Sequence, residues 1–404
     1  MIRFKLITQQ YVLAYSHFRG GDRLNLDSTL DTSVKPFRID VPQAALDDLQ
    51  ERLSRSRWPD EIPGTAGKYG AGLDDIRGLT DHWQNGYDWR AHEERINRYP
   101  QYMTTIDGAS IHFLHVRSPE PDAFPLILTH GWPGSFVEFL DIIGPLTDPK
   151  AYGGNPEDAF HVVIPSIPGY GFSGPTTETG WNVPRIARAW AELMKRLGYE
   201  RYGAQGGDWG SNISRTLADV DPEHACAVHL NYLPWMPKEE LDEPSAEEGR
   251  RIAKMKAYVA QPAGHTGIQG SRPMTLAYAL NDSPVGQLAW IADKFADWTD
   301  PRFPVTADQL LTNVMVYWLT GTSGSAARLY YENAQLKGQP IPCPAPIGVA
   351  VLPYDLIQPV RRIAEHQYSV VHWSEFDRGG HFAAMEVQDR LADDLRSFFR
   401  RFRD

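Results

Sequence analysis

The sequence predicts an α/β fold: a mostly parallel central sheet with helices on both faces and a long helical segment inserted between two of its strands. Three observations lead there. Short apolar runs alternate with amphipathic helical segments from residue 102 to about 231; the alternation then gives way to helical sequence rich in tryptophan and tyrosine; and a strand pattern resumes at Ile347. Parallel strands need long crossover connections, and helices on both faces leave the strands apolar throughout, as these runs are.

Residues 1–35 show no clear periodicity and read as an N-terminal arm with no assigned role. Residues 36–101 read as a wrapping meander. Phe37-Arg38-Ile39-Asp40-Val41 alternates like a strand, residues 44–53 carry leucines at helical spacing, Pro59 and Pro63 punctuate a turn-rich stretch, and a helical pattern runs over 76–89. The first part of the core spans 102–231, with strands expected at 111–116, 124–130, 161–165 and 201–204 and helices at 136–146, 183–197 and from about Ser211. Residues 232–345 form the helical insertion. Residues 346–404 form the second part of the core, with strands at 348–352 and 368–373. Ligand sites in open sheets lie beyond the carboxyl ends of the strands, so an insertion at this place is expected to cap the site.

Composition excludes several classes of function. The chain of 404 residues has 40 Lys plus Arg against 51 Asp plus Glu, a formal charge of -11, and no basic run offsets it; nucleic acid and anionic membranes are therefore not expected partners. Cys226 and Cys343 lie far apart, which is neither a disulfide framework nor metal-ligand spacing. The opening residues 1–18 are mildly apolar but are broken by Lys5, Gln9, Gln10 and His17, so neither a signal peptide nor a spanning helix is expected and the expected location is the cytoplasm.

The strongest local signal for chemistry is Gln205-Gly206-Gly207-Asp208-Trp209-Gly210, between an expected strand and an expected helix. A sharp strand-to-helix turn that exposes a nucleophile needs small residues two before and two after it, and Gly206 and Gly210 occupy those places around Asp208. An aspartate capping a glycine-rich turn would fit the same residues. Chain order separates the two readings. His130-Gly131-Trp132-Pro133-Gly134 ends an earlier strand, where a backbone N–H at Trp132 and another at Trp209 would form an oxyanion hole; the His130 side chain is read as structural. Arg378-Gly379-Gly380-His381-Phe382 follows the last strand and supplies a base. Asp355, just past the strand at 348–352, completes the order nucleophile, acid, histidine, with Glu365, Glu375 and Asp377 as its rivals.

HGWPGS, IPGYGFSG, QGGDWGS, RGGHFAAME and the stretch from Ile268-Gln269-Gly270 to Asn281-Asp282-Ser283-Pro284-Val285-Gly286 together resemble the epoxide hydrolases of the microsomal type, within the α/β-hydrolase fold. The resemblance runs from about Phe37 to the end of the chain, and the soluble bacterial members are the expected nearer analogues. It implies Asp208 as nucleophile, Asp355 as orienting acid and His381 as base. It also implies two tyrosines that donate to the epoxide oxygen. Arg328-Leu329-Tyr330-Tyr331-Glu332 puts Tyr330 in one of those roles, with Tyr331 as its alternative; His265 stands where the other tyrosine is usual and is left outside the catalytic set.

The mechanism so implied is attack of Asp208 on an epoxide carbon, then hydrolysis of the resulting ester by water that a neutral His381 deprotonates. The expected partners are a small apolar or aromatic epoxide and water, with no metal or organic cofactor. A homodimer is the expected assembly, and a role in natural-product biosynthesis is a first expectation. A haloalkane dehalogenase, which also uses an aspartate nucleophile, and a hydrolase-fold binding protein without turnover are the alternatives.

Overall fold

The computed structural model describes residues 33–234, 241–260, 264–336 and 341–403, so nearly all of the expected arm lies outside the described residues. Strand β1 (Lys35–Phe37) leads into helices α1 (Gln43–Ser54), α2 (Leu73–Asn85) and α3 (Trp89–Ile96). Then come β2 (Gln101–Ile106), β3 (Ala109–Val116), β4 (Phe124–Thr129), α4 (Leu140–Thr147), β5 (Phe160–Pro165), α5 (Val183–Arg196), β6 (Tyr202–Gly206), α6 (Asp208–Val220) and β7 (Ala225–Leu230). Helices α7 (Ala246–Ala260), α8 (Gly264–Ser271), α9 (Pro273–Leu280), α10 (Pro284–Trp298), α11 (Ala307–Thr320) and α12 (Ser323–Ala334) separate β7 from β8 (Ile347–Val351). The chain closes with α13 (Arg361–Gln367), β9 (Val370–Glu375), α14 (Ala383–Glu386) and α15 (Gln388–Phe399).

The strands form one sheet in the order β1-β2-β3-β5-β4-β6-β7-β8-β9. Pairing is antiparallel from β1 to β5 and parallel from β5 to β9, which matches the expected fold class. From β4 the chain crosses one way to β5 and then back past β4 to β6, so the order reverses between β4 and β6. A crevice opens at the carboxyl ends of strands where the order reverses. The two segments that leave those ends carry Trp132 and Asp208. The strands of the middle are buried on both faces: Leu126, Ile127, Val162, Val163, Ala204 and Val228 have no exposed surface.

Three local expectations are corrected. Phe37–Val41 is not a strand beyond Phe37. Its alternation is real, with Ile39 and Val41 buried, but its backbone pairs with side chains of α3 and the residue after it: Ile39 N–H donates to Asn97 Oδ1 (3.0 Å), Asn97 Nδ2 to the Ile39 carbonyl (2.7 Å) and Val41 N–H to Glu93 Oε1 (2.8 Å). The helix expected over 76–89 is two helices, because Gly86 closes α2 on the His82 carbonyl and the Asp88 carboxylate caps α3 at Arg90 N–H (2.9 Å). The segment 136–146 begins as a 3₁₀ turn over Phe136–Phe139 before α4 starts.

The meander reaches the insertion as well as the core. Trp83, with 1 % of its surface exposed, donates from Nε1 to Met315 Sδ (3.3 Å), the Tyr87 hydroxyl meets Thr312 Oγ1 (3.0 Å), and His82 Nε2 meets Asp308 Oδ1 (2.7 Å). All three partners sit on α11, so α2 and the loop after it hold the inserted helices from outside. Among the described residues no helix is long and apolar enough to cross a membrane.

Candidate active site

Asp208 opens α6 directly after β6, three residues earlier than the sequence pattern placed the helix start. Its φ is +47°, a conformation that L residues with side chains rarely adopt, so the turn is strained at this residue. The flanking glycines make the strained turn feasible. A Cβ on Gly206 would strike the backbone of Gly210, and one on Gly210 would strike the Thr129 carbonyl at the end of β4. A Cβ on Gly131 would in turn collide with the Asp208 side chain. The carboxylate therefore lies directly over the loop that leaves β4.

That loop meets it with a donor. Trp132 N–H donates to Asp208 Oδ1 at 2.9 Å. Trp209 lies in the first turn of α6, where backbone N–H groups lack acceptors within the helix. The His130 side chain is structural in its contacts: Nε2 accepts from Ile167 N–H (3.2 Å), which leaves Nδ1 to donate to the Gly131 carbonyl (3.0 Å). Burial pushes its imidazole down to about 4, so it stays neutral and ties the Gly131 turn to the loop after β5.

His381 stands on the other side of the carboxylate. Its Nδ1 meets Asp355 Oδ1 at 2.8 Å and its Nε2 lies 3.5 Å from Asp208 Oδ2. Asp355 is buried, and Oδ1 also accepts from Leu356 N–H (2.7 Å). The rivals do not approach the histidine: Glu365 pairs with Arg361 (2.7 Å), Glu375 pairs with Arg251 (2.7 Å), and the Asp377 carbonyl accepts from Arg302. Burial alone would lower the His381 pKa, but Asp355 and Asp208 together outweigh it and push it up to about 10. The shift favours the protonated ring while Asp208 is ionised, whereas the neutral imidazole of the sequence reading belongs to the later, ester-bearing stage.

The His381 loop is fastened to the insertion. His381 N–H donates to the Trp298 carbonyl (2.8 Å), and the Glu386 carboxylate accepts from the N–H groups of Asp300 (2.7 Å), Gly380 (2.9 Å) and Phe382 (2.9 Å). Gly380 must be glycine, since a Cβ there would strike the Trp298 carbonyl. Glu386 lies within the RGGHFAAME motif, yet nothing in its spacing marks it as the clamp.

Rings from the insertion close over the carboxylate. Tyr330 of α12 meets Trp209 edge-on (4.8 Å between centroids, 90°) and Trp132 likewise (5.9 Å, 90°). Burial and the nearby Asp208 carboxylate raise its hydroxyl well above the ordinary tyrosine value, which keeps it protonated. Tyr331, the alternative, is 41 % exposed, whereas Tyr330 is buried. His265 of α8 stacks on Trp132 (4.9 Å, 15°) and meets Tyr330 edge-on (5.8 Å); burial pushes its pKa down to about 4. Sequence reasoning missed Trp298, which packs against both His265 (5.3 Å) and His381 (5.0 Å). It also missed Tyr258 of α7, whose hydroxyl is pushed up to about 12 by burial, with Asp208 and Asp355 adding to the rise. Among the described residues no cluster of His, Cys, Asp and Glu could hold a metal ion.

Residues 34–139 match the family model described as epoxide hydrolase N terminus, and residues 125–249 match that of the alpha/beta hydrolase fold. A Stigmatella aurantiaca protein assigned as an epoxide hydrolase is 47 % identical over 376 residues, 92 % of this chain and 86 % of that one. The chain belongs to the epoxide hydrolase family. Epoxide hydrolase 1 of Sus scrofa is 35 % identical over 91 % of this chain and 89 % of its own. The solved epoxide hydrolase of Aspergillus niger superposes with a TM-score of 0.83 at 33 % identity, covering 92 % of this chain and 97 % of that one. This epoxide hydrolase shares with it the α/β-hydrolase fold, and its Asp208, His381 and Asp355 converge at one place in that fold.

Proposed function

We propose that this epoxide hydrolase opens an apolar or aromatic epoxide through a covalent ester on Asp208 and releases a vicinal diol. The observation that carries the proposal is the division of the Asp208 carboxylate. Oδ1 accepts from Trp132 N–H, the bond an oxyanion would keep, and Oδ2 faces away from that donor toward His381. Oδ2 attacks an epoxide carbon while Tyr330 donates to the epoxide oxygen, and relief of ring strain drives the opening. The aromatic walls of Trp132, Trp209, Trp298 and Tyr330 support an apolar substrate. Residues 232–345 act as the cap that brings Tyr330 over the nucleophile.

The raised pKa of His381 gives this cycle its order. Forming the ester removes the negative charge on Asp208, one of the groups that hold His381 protonated, so the imidazolium loses its proton once the first step is complete. That proton balances the one Tyr330 gives to the opening epoxide. Neutral His381, oriented by Asp355, then deprotonates water as it attacks the ester carbonyl, and the oxyanion on Oδ1 is held by Trp132 and Trp209 N–H. Collapse breaks the bond to the ester oxygen. The diol leaves, with Asp208 again ionised and His381 again charged.

The test is His381→Gln with styrene oxide as probe. Ring opening should proceed and the ester accumulate, seen as an intact-protein mass shift equal to the epoxide. A protein that stays at its unmodified mass while failing to turn over would refute the division of roles.

A further inference from the structure

Beneath Asp208 lies a small cavity of about 20 Å³, room for the centre of one water molecule. It is walled by Asp208 and His381 together with Gly134, Glu138, Asn231 and Ala384, and none of its lining residues comes from the insertion. A molecule held there reaches the carboxyl carbon of Asp208 from the core side, while the aromatic rings of the insertion lie on the other.

Glu138, in the 3₁₀ turn before α4, has no assigned role in the chemistry so far. Its carboxyl has no hydrogen bond or ion pair to protein among the described residues, although the residue is half-buried. Gly134 makes room for it: a Cβ at that position would overlap Glu138 Oε2. Burial pushes the carboxyl up to about 8, opposed by the His381 imidazolium and reinforced by Asp208, so it is a neutral acid at neutral pH, able both to donate and to accept. Asn231 contributes the second polar wall. Its Oδ1 accepts from Gln205 Nε2 (2.7 Å), which leaves its NH₂ group as a donor with no acceptor among the described residues.

We propose that this cavity seats the hydrolytic water and that Glu138, with Asn231, positions it for attack on the ester carbonyl. The proposal rests on the covalent route described above. The water oxygen forms its bond to Cγ of Asp208 and one of its protons passes to His381 Nε2. As the tetrahedral species collapses, the bond to the ester oxygen breaks and the departing alkoxide takes the water's remaining proton. Glu138 is thus a water-positioning residue for the second step alone, and the first step should not depend on it.

The experiment is a single turnover of styrene oxide with enzyme in excess, quenched in time and read as the fraction of protein carrying the ester. Glu138→Met should leave ester formation within about twofold and slow its decay about 100-fold, the scale of effect of a misplaced reactant. Glu138→Gln, which restores a neutral hydrogen-bonding group of the same shape, should recover most of the decay rate. Unchanged decay in Glu138→Met, equal slowing of both steps, or a glutamine variant no faster than the methionine would each overturn the proposal. If Glu138→Met fails to fold, Ala384→Val narrows the cavity from another of its lining residues and should slow decay alone; decay at the native rate in that variant overturns the proposal equally. Failure of the covalent route itself is distinguishable, since no ester would then form even in His381→Gln.

Discussion

The two sides of Asp208 are built from different materials. Toward the insertion it faces a wall of rings, Trp132, Trp209, Tyr330, His265 and Trp298, meeting one another at 4.8 to 6.4 Å between centroids. Toward the core it faces a space of about 20 Å³ whose polar edges are Glu138, Asn231 and His381, with Trp132 bordering both sides. A water molecule finds partners on the second side and few on the first, and an apolar epoxide the reverse. The difference suits one carboxylate to two half-reactions: on the proposed route the ester would be made from the dry side and broken from the wet one.

The most severe way to break that comparison is to remove the group that separates the two sides. Asp208→Ala should lower diol formation by at least about 10⁴-fold, as loss of a nucleophile does elsewhere. The fold should survive, because the turn depends on Gly206 and Gly210; circular dichroism and a steady-state assay check both halves. Turnover at a substantial fraction of the native rate would remove Asp208 from the mechanism.

Tyr330→Phe acts on the dry side alone. It should slow ester formation by about 10- to 1000-fold, the range for loss of one proton donor or oxyanion contact. Ester decay, measured in the same single turnover, should hardly change. Slowing of decay by the same factor would show that the two sides are not independent.

A smaller effect sharpens the wet side. His381 has its pKa raised from an ordinary 6.5 to about 10 in the folded protein, so the folded state holds a proton that the unfolded chain releases between those values. Its contribution to stability is fully present below pH 6.5 and is lost as pH rises toward 10, at a limiting slope of about 1.4 kcal/mol per pH unit. Urea unfolding across this window should therefore show a steeper decline for the native protein than for His381→Gln. Parallel curves would mean that the two carboxylates do not hold the charge.

How much of this could be read from the chain differs between the same two sides. The elbow was legible because its requirement is local and steric: glycines two before and two after Asp208 are what a strained turn needs, whatever lies around it. Asp355 and His381 were legible from their order after the later strands, although no spacing told that two carboxylates would come within 2.8 and 3.5 Å of one ring and raise its pKa. Glu138 was not legible, since a glutamate beside a helix start reads as a solvated residue until packing places it against the Asp208 cavity. Tyr258 and Trp298 are two of many aromatics in the insertion, and only tertiary contact distinguishes the rings that face Asp208 from those in the core. The error at Phe37–Val41 has the same origin: alternation records that one face is buried, not that a strand lies alongside.

The covalent route stands or falls on the fate of solvent oxygen. In a single turnover with excess enzyme in heavy-oxygen water, that route would draw the oxygen that joins the epoxide carbon from Asp208 and would carry the solvent oxygen into Asp208 when water attacks the ester carbonyl. The expected result is an unlabelled diol and a heavy-oxygen label in the peptide that contains Asp208. A labelled diol with an unlabelled peptide would mean that water attacks the epoxide directly and that no ester forms on Asp208.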